Sequence, residues 1–314
     1  MGRAVAGHVD LDALLAIART AGPLDAKPWD PHHLLTRSPE RSAVIVSPRA
    51  DRAGLAQPRV AIAGGRAFTF RYPETDELLI AAGCEPVVFD PLTDTELPAG
   101  TAGLWLGGGF PEVHAKELAG NKPLLAAIRD AIADGVPTVA ECAGLLYLCR
   151  ELDGEPMVGA LPGTSAMTAK LTMGYREATA EADSLLGRVG ETITGHEFHR
   201  TTADPGERAA WVLDGRRDGV SSPTLHASYL HVHWAGHPQL ARRFTDAVHH
   251  RWLSRTAPQE ATADLGVALR AETTSSASAI RQARLPSAVV RVEPSQQHPG
   301  ADLAHHGTGI SRPD

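Results

Sequence analysis

Short apolar runs alternate with helical segments along the middle of this chain, from residue 59 to about residue 252. The runs are short and continuous, as in strands that are buried on both faces. Such alternation predicts βαβ units and an α/β fold with a mostly parallel sheet, whose strand ends meet at one edge where ligands bind. The strand-like runs lie at 60–63, 86–89, 103–106 and 137–141, and the helical segments at 74–82, 113–134 and 143–151.

The two ends of the chain differ from this middle zone, so the predicted domain spans 58–252. Residues 1–57 contain one helical pattern followed by proline-punctuated polar sequence. Residues 253–314 have few large apolar side chains, too few to offset the entropy of ordering them, which predicts a disordered tail. Within the domain, 157–180 and 193–200 are strand-rich and predict extra strands, which either extend the sheet or form a layer beside it.

Composition narrows the classes of function. The 314 residues carry a formal net charge of −7, which argues against a nucleic-acid surface. Three cysteines without a CxxC pair fit a reducing compartment and show no zinc-ligand spacing. No signal-peptide pattern and no apolar stretch of spanning length is found, so we expect a cytoplasmic protein that does not bind membranes.

A cysteine stands between the strand predicted at 137–141 and the helix predicted at 143–151, in the sequence Ala140-Glu141-Cys142-Ala143-Gly144-Leu145. Such a strand–turn–helix junction pushes a nucleophile up from the sheet, and small residues behind it allow tight packing. The helix N-terminus predicts a lowered thiol pKa and an accessible thiolate at neutral pH. The N–H of Ala143 is placed to hold an oxyanion. A buried structural cysteine is the alternative, which we expect for Cys149.

Three glycines, Gly107, Gly108 and Gly109, follow the strand at 103–106. Without Cβ atoms, their backbone N–H groups can approach a ligand closely. They are therefore candidates for completing an oxyanion hole and binding glutamine opposite Cys142. A phosphate-binding loop is disfavoured because no Lys or Ser/Thr follows at P-loop spacing, and a plain tight turn is the remaining alternative.

Eight of the fifteen histidines lie between residues 196 and 250. Strand alternation over 227–233 would place Tyr229, His231 and His233 on one face, where a histidine can reach a distant cysteine as its base. A metal site built from His196, His199, His231 and His233 is the weaker alternative, because the spacing is not that of a zinc-binding helix. We therefore expect no metal.

Six motifs in this order resemble the glutamine amidotransferase domain of cobyrinic acid and hydrogenobyrinic acid a,c-diamide synthases. The resemblance covers about residues 58–252, and the combination is far more specific than any single motif. The motifs are Tyr72-Pro73-Glu74, Leu106-Gly107-Gly108-Gly109-Phe110-Pro111-Glu112, Ala140-Glu141-Cys142-Ala143-Gly144-Leu145, Gly174-Tyr175-Arg176-Glu177, Gly195-His196-Glu197-Phe198-His199 and Ser228-Tyr229-Leu230-His231-Val232-His233.

This resemblance implies a flavodoxin-like class I glutamine amidotransferase fold with Cys142 as nucleophile and His231 as the histidine that activates it. L-glutamine would supply ammonia, and a corrinoid acid would be amidated at its a and c carboxylates in cobalamin biosynthesis. Many class I amidotransferases have Glu at the place of His233, but the diamide synthases resemble this chain in lacking it. Ala143 stands where the family usually has Gly. Candidate substrate-site residues are Tyr72, Glu112, Glu141, His196, His199 and His233.

Synthases of this kind also carry an ATP-binding domain that opens with a P-loop and activates the acid with Mg and ATP. The chain has no Gly-Lys pair and hence no Walker A sequence. Because 8–15 resembles the end of that domain, we expect a truncated or split synthase whose partner is a P-loop domain or chain; homodimerisation is left open. The alternatives are a cysteine hydrolase of related fold and a catalytically impaired or regulatory remnant.

Overall fold

The computed structural model of the protein describes residues 2, 6–36, 57–204, 206 and 208–256. Its helices are α1 (Leu11–Arg19), α2 (Pro31–Thr36), α3 (Pro73–Ala81), α4 (Ala115–Gly120), α5 (Lys122–Ala133), α6 (Ala143–Leu148) and α7 (Pro238–Thr256), with a 3-10 helix at Pro111–His114. Its strands are β1 (Arg59–Ala63), β2 (Glu85–Phe89), β3 (Thr101–Leu106), β4 (Thr138–Glu141), β5 (Glu151–Leu152), β6 (Glu155–Pro156), β7 (Ser165–Thr179), β8 (Thr192–Ala203), β9 (Trp211–Leu213), β10 (Arg216–Asp218), β11 (Val220–Ser221) and β12 (Leu225–Ser228).

The central sheet has the strand order β11-β12-β4-β3-β1-β2 among the described residues. The pairs from β12 through β2 are parallel, and β11 is antiparallel at the edge. This arrangement confirms the predicted α/β fold with a mostly parallel sheet. It also brings the ends of β3, β4 and β12 side by side, since neighbouring parallel strands end at the same edge.

Helices cover both faces of this sheet, and β1 shows how the sequence directs its side chains. Ala61 shares a hydrophobic core with Ile128 of α5, whereas Ile62 shares the opposite core with Leu78 of α3 and Phe244 of α7. Successive strand residues point to opposite faces, so both faces of a continuous apolar run become buried. The sheet is therefore a rigid support for the loops at its edge.

Two predicted helices differ in length from those observed. The segment predicted at 113–134 is broken, since α4 ends at Gly120 and α5 begins at Lys122 with a proline in its first turn. The helix predicted at 143–151 is shorter: α6 ends at Leu148, because Cys149 adopts an extended backbone with φ −61° and ψ 168°. Cys149 is fully buried, as expected for a structural cysteine.

The extra strands form a second sheet rather than an extension of the first. Its order is β10-β9-β7-β5-β6, and β8 pairs antiparallel with β7 to make a long hairpin. One bridge joins β8 to the loop after β12: the N–H of His196 donates to the carbonyl of His231 at 3.0 Å, and the N–H of His231 donates back at 2.9 Å. The hairpin thus lies against the edge where β12 ends.

The flanks meet the domain at boundaries that differ slightly from those expected. Within 1–57, α2 buries Leu35 in the core beside α3 and α7, whereas α1 buries no residue. Helix α7 continues to Thr256, a few residues into the tail predicted from 253. The predicted disorder concerns residues 257–314, which lie outside the described residues. Among the described helices, none is long and apolar enough to cross a membrane.

Candidate active site

Cys142 occupies a strained turn between β4 and α6. Its backbone has φ 51° and ψ −99°, a conformation that side chains with a Cβ rarely adopt, and its N–H donates to the carbonyl of Ser228 at 2.8 Å. Tight packing behind the turn requires a glycine, because a Cβ at Gly144 would lie 2.2 Å from the carbonyl oxygen of Leu106. This is the geometry of a nucleophile elbow, as predicted from the residue order.

A cavity of about 670 Å³ brings Cys142 and His231 together. Only 7% of Cys142 is exposed, yet the residue lines this cavity, so the thiol is not sealed inside the core. Tyr72 and His196, which were predicted as substrate-site residues, also line this cavity. Most of the remaining wall comes from apolar or aromatic side chains for which the sequence predicted no role. These are Phe70, Phe110, Met173, Tyr175 and Phe198.

The imidazole of His231 is held by several neighbours. His196 stacks on it with ring centroids 4.9 Å apart, and the ring of Phe70 is nearly perpendicular to it with centroids 5.1 Å apart. A Cβ at Gly108 would lie 2.7 Å from its Cε1 atom, so the glycine is required for this approach. The carboxyl of Glu141 faces Nδ1, with Oε2 at 3.9 Å. These contacts leave His231 one orientation, at the wall of the cysteine's cavity.

Burial sets the protonation states of this pair and corrects the prediction of a thiolate. Burial raises the pKa of the Cys142 thiol to about 12, although the N–H of Ala143 acts in the opposite direction. Burial, together with His196 and His199, lowers the pKa of His231 to about 3. The six-residue helix α6 does not outweigh the loss of hydration. At neutral pH the unliganded site therefore holds a protonated thiol and a neutral imidazole that can accept its proton.

The three glycines after β3 differ in which backbone groups remain available. The N–H of Gly108 donates to the carbonyl of Phe70 at 3.0 Å, so the expectation that it holds an oxyanion is wrong for this conformation. A Cβ at Gly107 would lie 2.7 Å from that same carbonyl oxygen. Gly109 lines the cavity, and its N–H has no backbone partner among the described residues. Gly109 and Ala143 are thus the better placed of the four candidates.

The predicted substrate-site residues divide between the cavity and its surroundings. Tyr72 lies at the cavity, with its hydroxyl 3.5 Å from Nδ1 of His196. Glu112 is half-buried, and burial raises the pKa of its carboxyl, which acts electrostatically on Cys142.

His233 lies outside the cavity wall and faces Glu74, with Nε2 of His233 3.6 Å from Oε2 of Glu74. The expected common face of Tyr229, His231 and His233 is wrong, because β12 ends at Ser228.

His199 belongs to a second, polar cavity of about 1180 Å³. Its ring stacks on Tyr229 with centroids 3.8 Å apart, and Nε2 lies 3.6 Å from the carboxylate of Glu197. His196 and His199 are three residues apart on β8, so alternation places them on opposite faces. Because an odd spacing on a strand predicts opposite faces, the sequence alone was enough to assign the two histidines to different sites.

Glu197 is a charged residue for which the sequence predicted no role. It lines both cavities, and its carboxylate accepts hydrogen bonds from Arg176 at 2.8 Å and from Arg216 at 2.7 Å. Burial alone would raise its pKa, but His199 and the two arginines outweigh burial and lower the pKa to about 2. Glu197 therefore remains ionised and fixes the wall between the two cavities.

Metal ligation is the remaining possibility for the histidines. Within the part of the chain that the structure describes, no group of three His, Cys, Asp or Glu side chains is arranged to hold a metal ion. The stacked ring pairs, His196 on His231 and His199 on Tyr229, present faces to each other rather than nitrogens to a common point.

Comparison with known proteins finds similar chains among a,c-diamide synthases. The chain is 55% identical over 254 residues to a hydrogenobyrinate a,c-diamide synthase of Thermobifida fusca, covering 78% of this chain and 52% of that protein. It is 48% identical to a protein of the same name from Streptomyces coelicolor, covering 78% and 54%, and 47% identical to a cobyrinate a,c-diamide synthase of Synechococcus, covering 60% and 44%. The chain thus spans about half the length of the curated relatives it matches.

A family model shows where this similarity lies. The model of the CobB/CobQ-like glutamine amidotransferase domain matches residues 59–239, more than half of the chain. This range includes the elbow at Cys142, the glycines after β3, His231 and the hairpin that closes the cavity. The flavodoxin-like class I amidotransferase fold expected from the sequence is therefore the fold of this domain. The protein belongs to the CobB/CobQ-like glutamine amidotransferase family.

Proposed function

We propose that this chain hydrolyses glutamine and releases ammonia for the amidation of carboxylates on a corrinoid acid. The observation that supports the proposal most directly is the shared cavity of Cys142 and His231, with the cysteine on a strained elbow. A buried structural cysteine has no need of such a backbone conformation, because strain of this kind persists where function requires it.

The chemistry follows from the protonation states of the pair. As the Cys142 sulfur attacks the carboxamide carbon of glutamine, its proton passes to the neutral imidazole of His231. The N–H groups of Ala143 and Gly109 receive the oxyanion. The imidazolium then protonates the departing nitrogen, and ammonia leaves. Water hydrolyses the thioester, which releases glutamate and restores the thiol.

The fate of the ammonia is proposed from the names of the relatives. Hydrogenobyrinate and cobyrinate a,c-diamide synthases, as named, convert two carboxylates of a corrinoid acid to amides. From the resemblance in sequence, we infer that this amidation is a step of cobalamin biosynthesis. L-glutamine, a corrinoid acid and a P-loop synthetase domain or chain are therefore the proposed partners. The site proposed here supplies only the ammonia.

Mg and ATP do not fit the residues described. Gly107 and Gly109 are packed against backbone, since a Cβ at Gly107 would lie 2.7 Å from the carbonyl oxygen of Phe70 and one at Gly109 would lie 2.1 Å from that of Ala67. No group of three acidic, histidine or cysteine side chains surrounds a cation position in the described ranges. ATP and Mg are accordingly assigned to the proposed synthetase partner.

Cys142→Ala tests the glutaminase proposal. We expect loss of glutamine-dependent ammonia release with the fold retained, because only the nucleophile is removed. Cys149→Ser is the matched control, since Cys149 is buried away from the cavity wall and its sulfur donates a hydrogen bond to the carbonyl of Leu145 within α6 at 3.4 Å. Unchanged glutamine hydrolysis in Cys142→Ala would refute the proposal.

Two further measurements separate the alternatives. Peptide cleavage without ammonia release from glutamine would identify a cysteine hydrolase of related fold. A glutamine-analogue electrophile should label Cys142 in the wild-type chain. If Cys142 is not labelled and no peptide is cleaved, the chain is a catalytically impaired or regulatory remnant.

A further inference from the structure

The carboxyl group of Glu141 lies directly behind the histidine of the site. Glu141 ends β4, one residue before the nucleophile, and only 5% of it is exposed. Its Oε1 accepts the N–H of Val232 at 3.4 Å, and its Oε2 lies 3.9 Å from Nδ1 of His231. One carboxyl group thus contacts both the histidine's ring and the backbone that carries the histidine.

Nδ1 of His231 needs a partner that the rest of the site does not supply. The atom is buried and has no hydrogen-bond partner among the described residues. Buried polar atoms in folded proteins are almost always hydrogen-bonded, so an unpaired ring nitrogen facing a carboxyl is an incomplete contact. Closing the gap from 3.9 Å to hydrogen-bond length requires a shift of about 1 Å.

Other acidic groups are not placed for this role. The position two residues after the histidine holds His233, which faces Glu74 outside the cavity wall. Within the described ranges, Glu141 is the acidic side chain found within 4.0 Å of a nitrogen of His231. The carboxylate of Glu197 already accepts hydrogen bonds from Arg176 and Arg216.

We propose that Glu141 is the positioning residue for His231, accepting a hydrogen bond from Nδ1–H and leaving Nε2 free to take the proton of Cys142. This inference rests on the proposed glutaminase function. The thiol proton moves to Nε2 as the carbon–sulfur bond forms, and the carboxylate of Glu141 balances the charge of the imidazolium. The same proton then leaves with ammonia, so Glu141 itself gains and loses no proton over the cycle.

The protonation state of Glu141 provides a readout that a structural role would lack. Burial raises its pKa to about 8, although the N–H of Val232 acts in the opposite direction. Only the ionised form can balance the charge of the imidazolium, so kcat/KM should rise as pH increases through about 8. The other titratable groups facing the pair are Tyr72 and Cys142 around Glu141, and His196 and His199 around His231.

Glutaminase kinetics of Glu141→Gln and Glu141→Asp in the full chain test the proposal. We expect Glu141→Gln to lower kcat by roughly 10²-fold or more with little change in KM, because the amide keeps the shape but cannot balance the imidazolium. It should also remove the inflection near pH 8. Glu141→Asp should recover part of the lost rate and restore the inflection. Glu74→Gln is the matched control, since Glu74 faces a histidine outside the cavity wall, and its kinetics should equal those of the wild type.

The outcomes distinguish this proposal from the glutaminase proposal. An active wild type with an equally active Glu141→Gln would overturn the role of Glu141 alone. A slow Glu141→Gln that keeps the inflection, or a folded Glu141→Asp without any recovery, would also overturn it by indicating a structural role. A wild type that neither releases ammonia nor is labelled at Cys142 would instead contradict the glutaminase proposal itself.

Discussion

The Cα atom of Gly108 lies against the imidazole of His231, so close that a Cβ there would stand 2.7 Å from Cε1. Phe70 contacts the same point, with side-chain atoms 3.2 and 3.3 Å from the added Cβ. The glycine is therefore required for the orientation of the proposed base. Its role is steric, since its own N–H is occupied by the carbonyl of Phe70.

Gly108→Ala should displace His231 and slow glutamine hydrolysis. A shift of about 1 Å in a catalytic group can lower a rate by about 10²-fold, and we expect a loss of that order in kcat. Gly120→Ala in α4 is the control, because a Cβ there meets no atom within 4 Å. Steady-state ammonia release from both variants checks the prediction, which is contradicted if Gly108→Ala is as fast as Gly120→Ala.

Cys142→Gly should be more stable than Cys142→Ala. The backbone at this position has φ 51° and ψ −99°, which glycine adopts without the penalty imposed by a Cβ. Relief of such strain is worth about 1–3 kcal/mol, so we expect the free energy of unfolding of Cys142→Gly to be higher by about 1 kcal/mol. Urea titrations of the two inactive variants measure the difference. Equal or reversed stabilities would show that the elbow is not strained.

His226→Leu should make the protein less sensitive to acid. His226 is fully buried beside Trp211, and burial lowers the pKa of its imidazole from 6.5 to about 3. Below pH 6.5, residue 226 is protonated in the unfolded chain, whereas in the folded chain it stays neutral down to about pH 3. The free energy of unfolding therefore falls as pH falls through this range, by about 1.4 kcal/mol per pH unit for one such histidine.

Unfolding titrations at pH 7 and pH 5 measure this effect. His226→Leu should lose about 2 kcal/mol less than the wild type between these pH values. His250→Leu, at an exposed position of α7, should lose as much as the wild type. If His226→Leu has the wild-type acid sensitivity, the buried imidazole is not a source of it.

Local sequence patterns were sufficient to predict most strands of the central sheet. The strand runs are continuous because both faces are covered, and such runs end where glycine or a polar residue breaks them. Elements that depend on distant partners were less predictable. Strand β12 ends at Ser228, because the hydroxyl of Ser228 and the N–H of Tyr229 both donate hydrogen bonds to the carboxylate of Asp218 in β10. No pattern in residues 227–233 predicts that interaction.

The order of residues around Cys142 was by itself enough to indicate a nucleophile at the end of a strand, because a strand, a tight turn and a helix are specified by neighbouring residues. His231 was expected from the resemblance, but only the tertiary structure showed that Glu141 faces this histidine. Glu141 and His231 are ninety residues apart in the chain and meet because β4 and β12 are parallel neighbours. Burial, which no local pattern measures, decided that the thiol stays protonated and that the imidazole is neutral.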